Sequence, residues 1–414
     1  MGFLSIFVGV GATIDAIAVF MKPMSENLGW TRTLIMGPVT VAFLATSLMS
    51  PVVGRIIDKY GARILMFISA LAGGGLMVAI SIVNHPWQFY LLFGIGIGIT
   101  RACFSFMAPT TMVSNWFIVK RGRALAVATM GAAISALIVI PFTQYVITTL
   151  SWRAAWIMLG IMTWTLLALP AAVVIRRRPE DIGLMPDGAA LDEGKGRPDR
   201  EPGERKKSPS HEAEVNWLAR EAVRVYAFWL ILASMVLTSF PVTGVWLHAS
   251  ASFTDQGVTP AQAALAMGCV AVTSIPSRLF WGLLAEKLHV RYCLIITNLG
   301  LAASVIFIML ANSFPAALGS MLFYGAFVGG IIVLQAMVWP DYFGRLALGT
   351  IQGYAEFFRV IGAAGGPLLA GIIYDTTGSY YIAFSAFAGG CLLATVLMYL
   401  AKPPRMPVKV RVQN

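Results

Sequence analysis

The sequence predicts an all-α membrane protein with twelve transmembrane helices arranged as two six-helix pseudo-repeats. Composition is the first indication: 58% of the 414 residues are hydrophobic and 12% are charged, against about 25% charged in soluble domains. Length is the second, because apolar runs close to the ~20 residues that cross a hydrocarbon core recur along the whole chain. The third is internal duplication. GRIIDKYGAR at 54–63 returns as GLLAEKLHVR at 282–291, with Gly54 and Gly282, Asp58 and Glu286, Lys59 and Lys287, and Arg63 and Arg291 in one constant register.

The first run, 2–21, follows the initiator Met with no basic segment and no small-residue cleavage site, so it reads as a retained helix and not as a signal peptide. A helix opening at residue 2 with no stub before it points to a misplaced start codon. Runs at 33–54 and 63–83 flank the first glycine-and-charge knot. The run at 88–113 contains FGIGIGITR, which no strand precedes and whose setting is apolar, so its glycines read as close helix packing and not as a phosphate loop. Runs at 124–149 and 153–175 complete an N-terminal six-helix bundle over 1–175. Residues 176–224 break the pattern with Pro, Gly and charge, from RRRPEDIGLMPDG to GERKKSPSHE, and form a cytoplasmic linker. EVNWLAREAVRVYAF then leads back to the membrane as an amphipathic helix. Runs at 225–249, 260–284, 292–311, 315–339, 349–373 and 380–401 make the C-terminal six-helix bundle, 225–401, followed by a cytoplasmic tail, 402–414. A second repeat supports the division: RGRALAVATMG at 121–131 matches FGRLALGTIQG at 343–353 through Gly122 and Gly344, Arg123 and Arg345, and Gly131 and Gly353.

The net charge of +11 invites a nucleic-acid reading, and the placement of the charges removes it. Lys and Arg gather after the even-numbered runs, whereas the opposite loops hold only Lys22, Arg32 and Arg153. By the positive-inside rule both termini and the linker are cytoplasmic, which places a multi-pass protein in the cell inner membrane. Trp30, Trp87 and Trp152 then stand at the outer boundary as belt residues. Cys103, Cys269, Cys293 and Cys391 are isolated within runs and read as small buried residues. With no Walker loop, metal-ligand cluster or nucleophile–base pair, the sequence implies neither an enzyme nor a metal or other cofactor.

The knots make physical sense where helices approach and then separate. Glycine allows close packing at a helix end, a carboxylate can sit at a neighbouring helix N-terminus, and Arg and Lys anchor the ends at the anionic leaflet. Gly54, Asp58 and Arg63, with Gly282, Glu286 and Arg291, therefore read as a pair of gating latches.

Through these motifs the chain resembles the major facilitator superfamily over its whole length. At WFIVKRGRALAVA, RRRPEDIGLMPDG, SRLFWGLLAEK, DYFGRLALGTIQG and GGPLLAGIIYDTTGSY it is similar to the oxalate/formate antiporter and monocarboxylate transporter-like branch. The second latch departs from the family pattern, with Glu286 for Asp and His289 for Gly, and is expected to be the weaker. The resemblance implies a secondary active transporter of small organic anions, mono- or dicarboxylates, working by alternating access as a proton-coupled symporter or an anion exchanger. A monomer in the bilayer, with no nucleic-acid partner, is the expected state. Extrusion of amphiphilic drugs and a non-transporting sensor on the same fold are the alternatives.

Six ionisable side chains fall inside the runs: Asp15, Arg101, His248, Arg278, Glu356 and Arg359. Insertion scales put the cost at about 2.5 to 3.5 kcal/mol for Arg, Lys or Asp at a helix centre, so each needs a partner or a wet cavity. The resemblance places Arg278 where the branch keeps its carboxylate-binding arginine, the rival reading being an ion pair near the latch. Arg359 stands where the oxalate exchanger keeps a second cation, there a lysine; it either contacts substrate or pairs with Glu356 three residues earlier. Asp15 and Glu356 replace a tyrosine and a tryptophan. Val8, Ala132, Val328 and Ile332 replace further cavity aromatics and leave Phe106 alone. The expected cavity is thus roomier than an oxalate box. Arg278, Arg359, Phe106, Asp15 and Glu356 are thus the expected substrate-binding residues; each acid is either a fixed partner for Arg101 or Arg359 or a proton-coupling site, with Arg101 expected beside Asp15. His248 reads as a hydrogen-bonded structural residue.

Overall fold

Inside hydrocarbon a backbone must satisfy its own hydrogen bonds, which leaves helix as the form for each apolar run. The computed structural model describes residues 1–176, 179–188 and 217–404, and every predicted run within them is helical. Eleven helices are long and apolar enough to span a membrane: α2 (Thr33–Tyr60), α3 (Ala62–Ile80), α4 (Pro86–Trp116), α5 (Arg121–Thr149), α6 (Trp152–Val174), α7 (Tyr226–Asp255), α8 (Pro260–Ala285), α9 (Val290–Met309), α10 (Phe314–Phe343), α11 (Leu348–Thr377) and α12 (Tyr381–Leu400). The twelfth, α1, is a bent pair, Gly2–Asp15 and Val19–Leu28, turned by 42°. A π-helical turn at Gly11–Asp15 precedes the bend, and such turns interrupt the regular ladder and redirect a helix.

Several expectations change. Within its described residues, 217 onward, the amphipathic entry to α7 forms one turn, Ala219–Ala222, and Trp217 is tied to the end of α10: its amide donates to the Phe343 carbonyl at 3.0 Å and its ring meets Phe343 edge-on. Of the three expected belt tryptophans only Trp87 is exposed. Trp30 and Trp152 are buried, the first packed on Phe89 and the second donating to Asn27 at 3.2 Å, so local packing outcompetes the interface. Of the cysteines, Cys269 is half-buried and the other three are buried. Most of the expected 176–224 linker and of the 402–414 tail lies outside the described residues.

Two helix pairs make most of the contact between the first six helices and the last six: α2 runs along α11, and α5 along α8. Glycines set both approaches. A Cβ on Gly54 would run into the carbonyl of Gly349, and one on Gly282 into the carbonyl of Gly122. Small-residue contacts of this kind let membrane helices touch backbone to backbone. They also correct the second repeat. Since Gly54 and Gly282 correspond, the structural counterpart of Gly122 is Gly349, not Gly344, and that of Arg123 is Thr350, not Arg345. The matched letters mislead because α5 begins at Arg121, ahead of Gly122, whereas α11 begins at Leu348, after Gly344 and Arg345.

Gly282→Val should prevent α5 and α8 from closing at this end. Spin labels at the exposed positions Val119 and Leu288 should then separate by about 2 Å or more, because a close-packed interface has no room for the added side chain. An unchanged distance distribution would show that the interface yields elsewhere.

Candidate functional site: a charged cavity and its two latches

A cavity of about 200 Å³ opens between α4, α7, α10 and α11. Its walls are mostly apolar, from Phe106, Met107, Met235, Val242, Ile332 and Trp339, and its polar groups are Thr110, Gln335, Gln352, Glu356 and Arg359. Helix α4 breaks at this wall: one helical stretch ends at Phe104 and the next begins at Met107. Pro109 explains the break. It lacks the amide that would bond the Ser105 carbonyl, and it is tolerated in the first turn of the new stretch. Helix α11 carries a similar gap, because Pro367 leaves the Ala363 carbonyl without its helical donor; the Thr243 hydroxyl of α7 supplies one at 2.6 Å.

The charges sort into distinct environments. Arg359 and Glu356 form a two-pronged pair on one turn of α11, Nε to Oε2 at 2.6 Å and Nη2 to Oε1 at 2.5 Å. Both side chains retain some exposure, 29% and 20%. Arg101 is not beside Asp15, contrary to expectation. Its guanidinium lies over the Phe43 ring of α2 at 4.6 Å, and α2 is in turn hydrogen-bonded to the Gly98 carbonyl of α4 and the Phe357 carbonyl of α11, at 2.8 and 2.9 Å. Residue numbers within one half suggested the Asp15 pairing, but α4 turns this face toward α11 of the other half. Asp15 instead accepts a hydrogen bond from Ser135 at 2.7 Å. Arg278 is 4% exposed, away from the cavity lining, and donates through Nη1 to the Thr129 carbonyl of α5. His248 is hydrogen-bonded at both nitrogens, 3.1 Å to Tyr380 Oη and 3.1 Å to the Pro367 carbonyl. A carbonyl only accepts, so Nε2 carries the proton and Nδ1 accepts from the phenol. Among the described residues no three His, Cys, Asp or Glu side chains gather as a metal site.

Of the residues singled out in the sequence, Phe106, Ile332, Glu356 and Arg359 share the cavity, whereas Asp15 and Arg278 do not line it. Thr110, Gln335, Gln352 and Trp339 were missed. The two glutamines left a usable signal, since a carboxamide inside an apolar run also needs a partner; Gln352 finds one in the Thr111 hydroxyl at 2.7 Å.

At the end of the bundle carrying the knots, carboxylates from each half cap helices of the other. Asp58 accepts from the amides of Gly349 at 2.8 Å and Thr350 at 2.7 Å and from the Thr350 hydroxyl at 2.6 Å, so it caps the N-terminus of α11 from outside. Glu286 does the same for α5 with a different balance. It takes one amide, Arg123 at 2.9 Å, and adds a forked pair with the Arg123 side chain, 2.8 Å at Nη2. The longer Glu side chain thus exchanges a backbone bond for an ion pair. Arg63 and Arg291 serve their own halves. Arg63 donates to the Ala172 carbonyl at the end of α6 at 3.1 Å through Nε. Arg291 donates to the Met398 carbonyl at 3.1 Å and to that of Tyr399, at the end of α12. Segment 179–188 adds a strap across this end. Asp187 accepts from the amides of Ile118, Val119 and Lys120 at 3.1, 2.9 and 2.9 Å, and Glu180 pairs with Arg345 at 3.3 Å.

A sequence profile described as Major Facilitator Superfamily matches residues 1–254 and 231–413. Monocarboxylate transporter 12 of Rattus norvegicus is 24% identical over 355 residues, covering 82% of this chain and 71% of that protein. Monocarboxylate transporter 2 of Homo sapiens is 22% identical over 406 residues, covering 95% and 83%. Among solved structures, the fucose:proton symporter of E. coli superposes with a TM-score of 0.71 at 12% identity, covering 97% of this chain and 98% of that one, a likeness of fold.

Asp58→Asn keeps a carbonyl acceptor at the α11 terminus and loses the charge. If Asp58 gates, turnover in proteoliposomes should drop several-fold while equilibrium ligand affinity in detergent stays within about threefold, because the side chain contacts α11 outside the cavity. A large loss of affinity with no change in conformational balance would assign Asp58 to the binding site.

Proposed function

The chain belongs to the Major Facilitator Superfamily, and on that premise we propose that it carries small organic anions, monocarboxylates before dicarboxylates, by alternating access at the α4–α7–α10–α11 cavity. The observation that carries this reading is the charge balance there. Arg359 on the cavity wall and Arg101, buried outside the lining over the Phe43 ring, set two cations against the single carboxylate of Glu356, which leaves one positive charge for an anion beside largely apolar walls. A guanidinium offers a planar fork that suits a carboxylate. The similarity to monocarboxylate transporters and the branch motifs support the same class. A cationic amphiphile would meet an uncompensated cation.

In the proposed cycle the halves 1–175 and 225–401 rock about the cavity, with 176–224 as the cytoplasmic linker, 402–414 as the tail and the cell inner membrane as the location. Since the basic loops mark the cytoplasmic side, the closed latches of Asp58 and Glu286 describe a state sealed toward the cytoplasm. In this state the substrate site is assigned to Arg359 and Phe106, with Glu356 held on the Arg359 fork. Arg278 reaches the substrate when α5 and α8 part; its Nε, buried without a partner, is free to take up an anion. Asp15 and Glu356 are the proton-coupling sites of a symporter. The protein works as a monomer.

A thermostability screen of the purified protein tests the class, because a ligand that binds only the folded state stabilises it. Monocarboxylates should raise the midpoint more than dicarboxylates and cationic drugs; stabilisation by the drugs alone would overturn the reading.

Arg278→Lys keeps charge and loses the fork, so uptake should fall at least about tenfold while binding from the outer side persists. Full uptake with normal insertion would remove Arg278 from the cycle. For coupling, uptake driven by an inward pH gradient should weaken in Glu356→Gln. If it survives undiminished Glu356 is only a structural partner, and if wild type shows counterflow alone the protein is an exchanger.

A further inference from the structure

Resting on the anion reading above, we infer that Glu356 is a resident carboxylate occupying the substrate's place on Arg359, and that Arg101 takes it over, across the two halves, when the anion arrives. Arg359 spends the edge bearing Nε and Nη2 on Glu356, at 2.6 and 2.5 Å. That edge is a fork a planar carboxylate uses, and two carboxylates cannot hold it together. The pair borders the cavity and stays partly exposed, so an incoming anion can compete for it.

Arg101 is built to receive what is displaced. It is 9% exposed, its Nε has no hydrogen-bond partner, and the Phe43 ring under its guanidinium at 4.6 Å supplies no acceptor oxygen. A buried guanidinium with an unused donor is a costly arrangement. The helix that carries Phe43, α2, is hydrogen-bonded on one side to the Gly98 carbonyl of α4 at 2.8 Å and on the other to the Phe357 carbonyl of α11, next to Glu356, at 2.9 Å, which brings the two charges to one junction. Arg101 belongs to α4 in the first half and Glu356 to α11 in the second. Before the exchange the ion pair lies within one turn of α11 and tells the halves nothing; afterwards Glu356 on Arg101 bridges them. Ligand binding thereby produces differential contacts between conformations, which is what a shift of population requires. The count also selects the substrate. A monocarboxylate on Arg359 and Glu356 on Arg101 leave two neutral pairs, whereas a dicarboxylate leaves an unpaired negative charge at membrane depth.

The test is phenylacetate binding by calorimetry in lipid nanodiscs, for wild type, Glu356→Gln, Arg101→Gln and the double variant. Removing the resident carboxylate should tighten binding at least about tenfold, and Arg101→Gln should weaken it about tenfold in the wild-type background, each about 1.4 kcal/mol. In the Glu356→Gln background Arg101→Gln should change little, because nothing is left for Arg101 to receive; this non-additivity separates exchange from a mere change of net charge. Equal losses in both backgrounds, or weaker binding by Glu356→Gln, would overturn the exchange and leave the anion reading standing. Absence of binding in every folded variant would overturn both. Should Glu356→Gln fail to insert, Glu356→Asp, which keeps the charge and shortens the reach, should tighten binding in the same direction by less.

Discussion

A charge inside hydrocarbon must be paired, hydrogen-bonded or solvated, and this requirement organises the rest of the molecule. Each intramembrane ionisable group meets it differently. Glu356 and Arg359 meet it as a forked pair, Asp15 through the Ser135 hydroxyl, Arg278 through a carbonyl of the opposite half, and Arg101 by stacking on Phe43. The first is complete. The last two leave an Nε buried without a partner. Groups satisfied in one arrangement only in part are the ones that gain from a second arrangement, and both incompletely satisfied arginines lie on helices that face the other half of the protein.

The same economy of polar groups governs the closed end. Helix termini expose amides with no intrahelical partner, and here carboxylates of the opposite half supply them, Asp58 to α11 and Glu286 to α5. Such a cap can be released whole, because water replaces it when the ends separate. Arg63 and Arg291 are bound instead to carbonyls at the C-termini of α6 and α12 within their own halves, where cations favour the helix dipole. Within a single motif, then, the acid contacts the opposite half and the arginine its own.

Proline and glycine give the helices their departures from regularity at places that matter. Pro109 interrupts α4 beside the cavity, and Pro367 opens a carbonyl on α11 that Thr243 of α7 satisfies. The paired glycines allow α2 to meet α11 and α5 to meet α8 at backbone distance. Together they place a break and a cross-helix hydrogen bond near the cavity and two close approaches at the end that carries the knots.

The number of spans, their order and the duplicated knots were legible in the sequence because they depend on local quantities: the length of an apolar run, the absence of charge, a repeated spacing. So was the Glu356–Arg359 pairing, as one of two alternatives, since three residues on a helix are neighbours whatever surrounds them. The partners of Arg101 and Arg278, the burial of Trp30 and Trp152, and the part played by Gln335 and Gln352 were not. Each depends on which face of one helix meets which face of another, and a twelve-helix chain leaves that open until packing selects it. The register of the second repeat shows the same limit: Gly344 and Arg345 share letters with Gly122 and Arg123, yet the helix that follows begins after them. Sequence determined which side chains need partners, because that need arises from the low dielectric around any membrane helix. Only the tertiary structure decided who the partners are, because pairing across the halves is a matter of distance, and distance between helices is not written along either one.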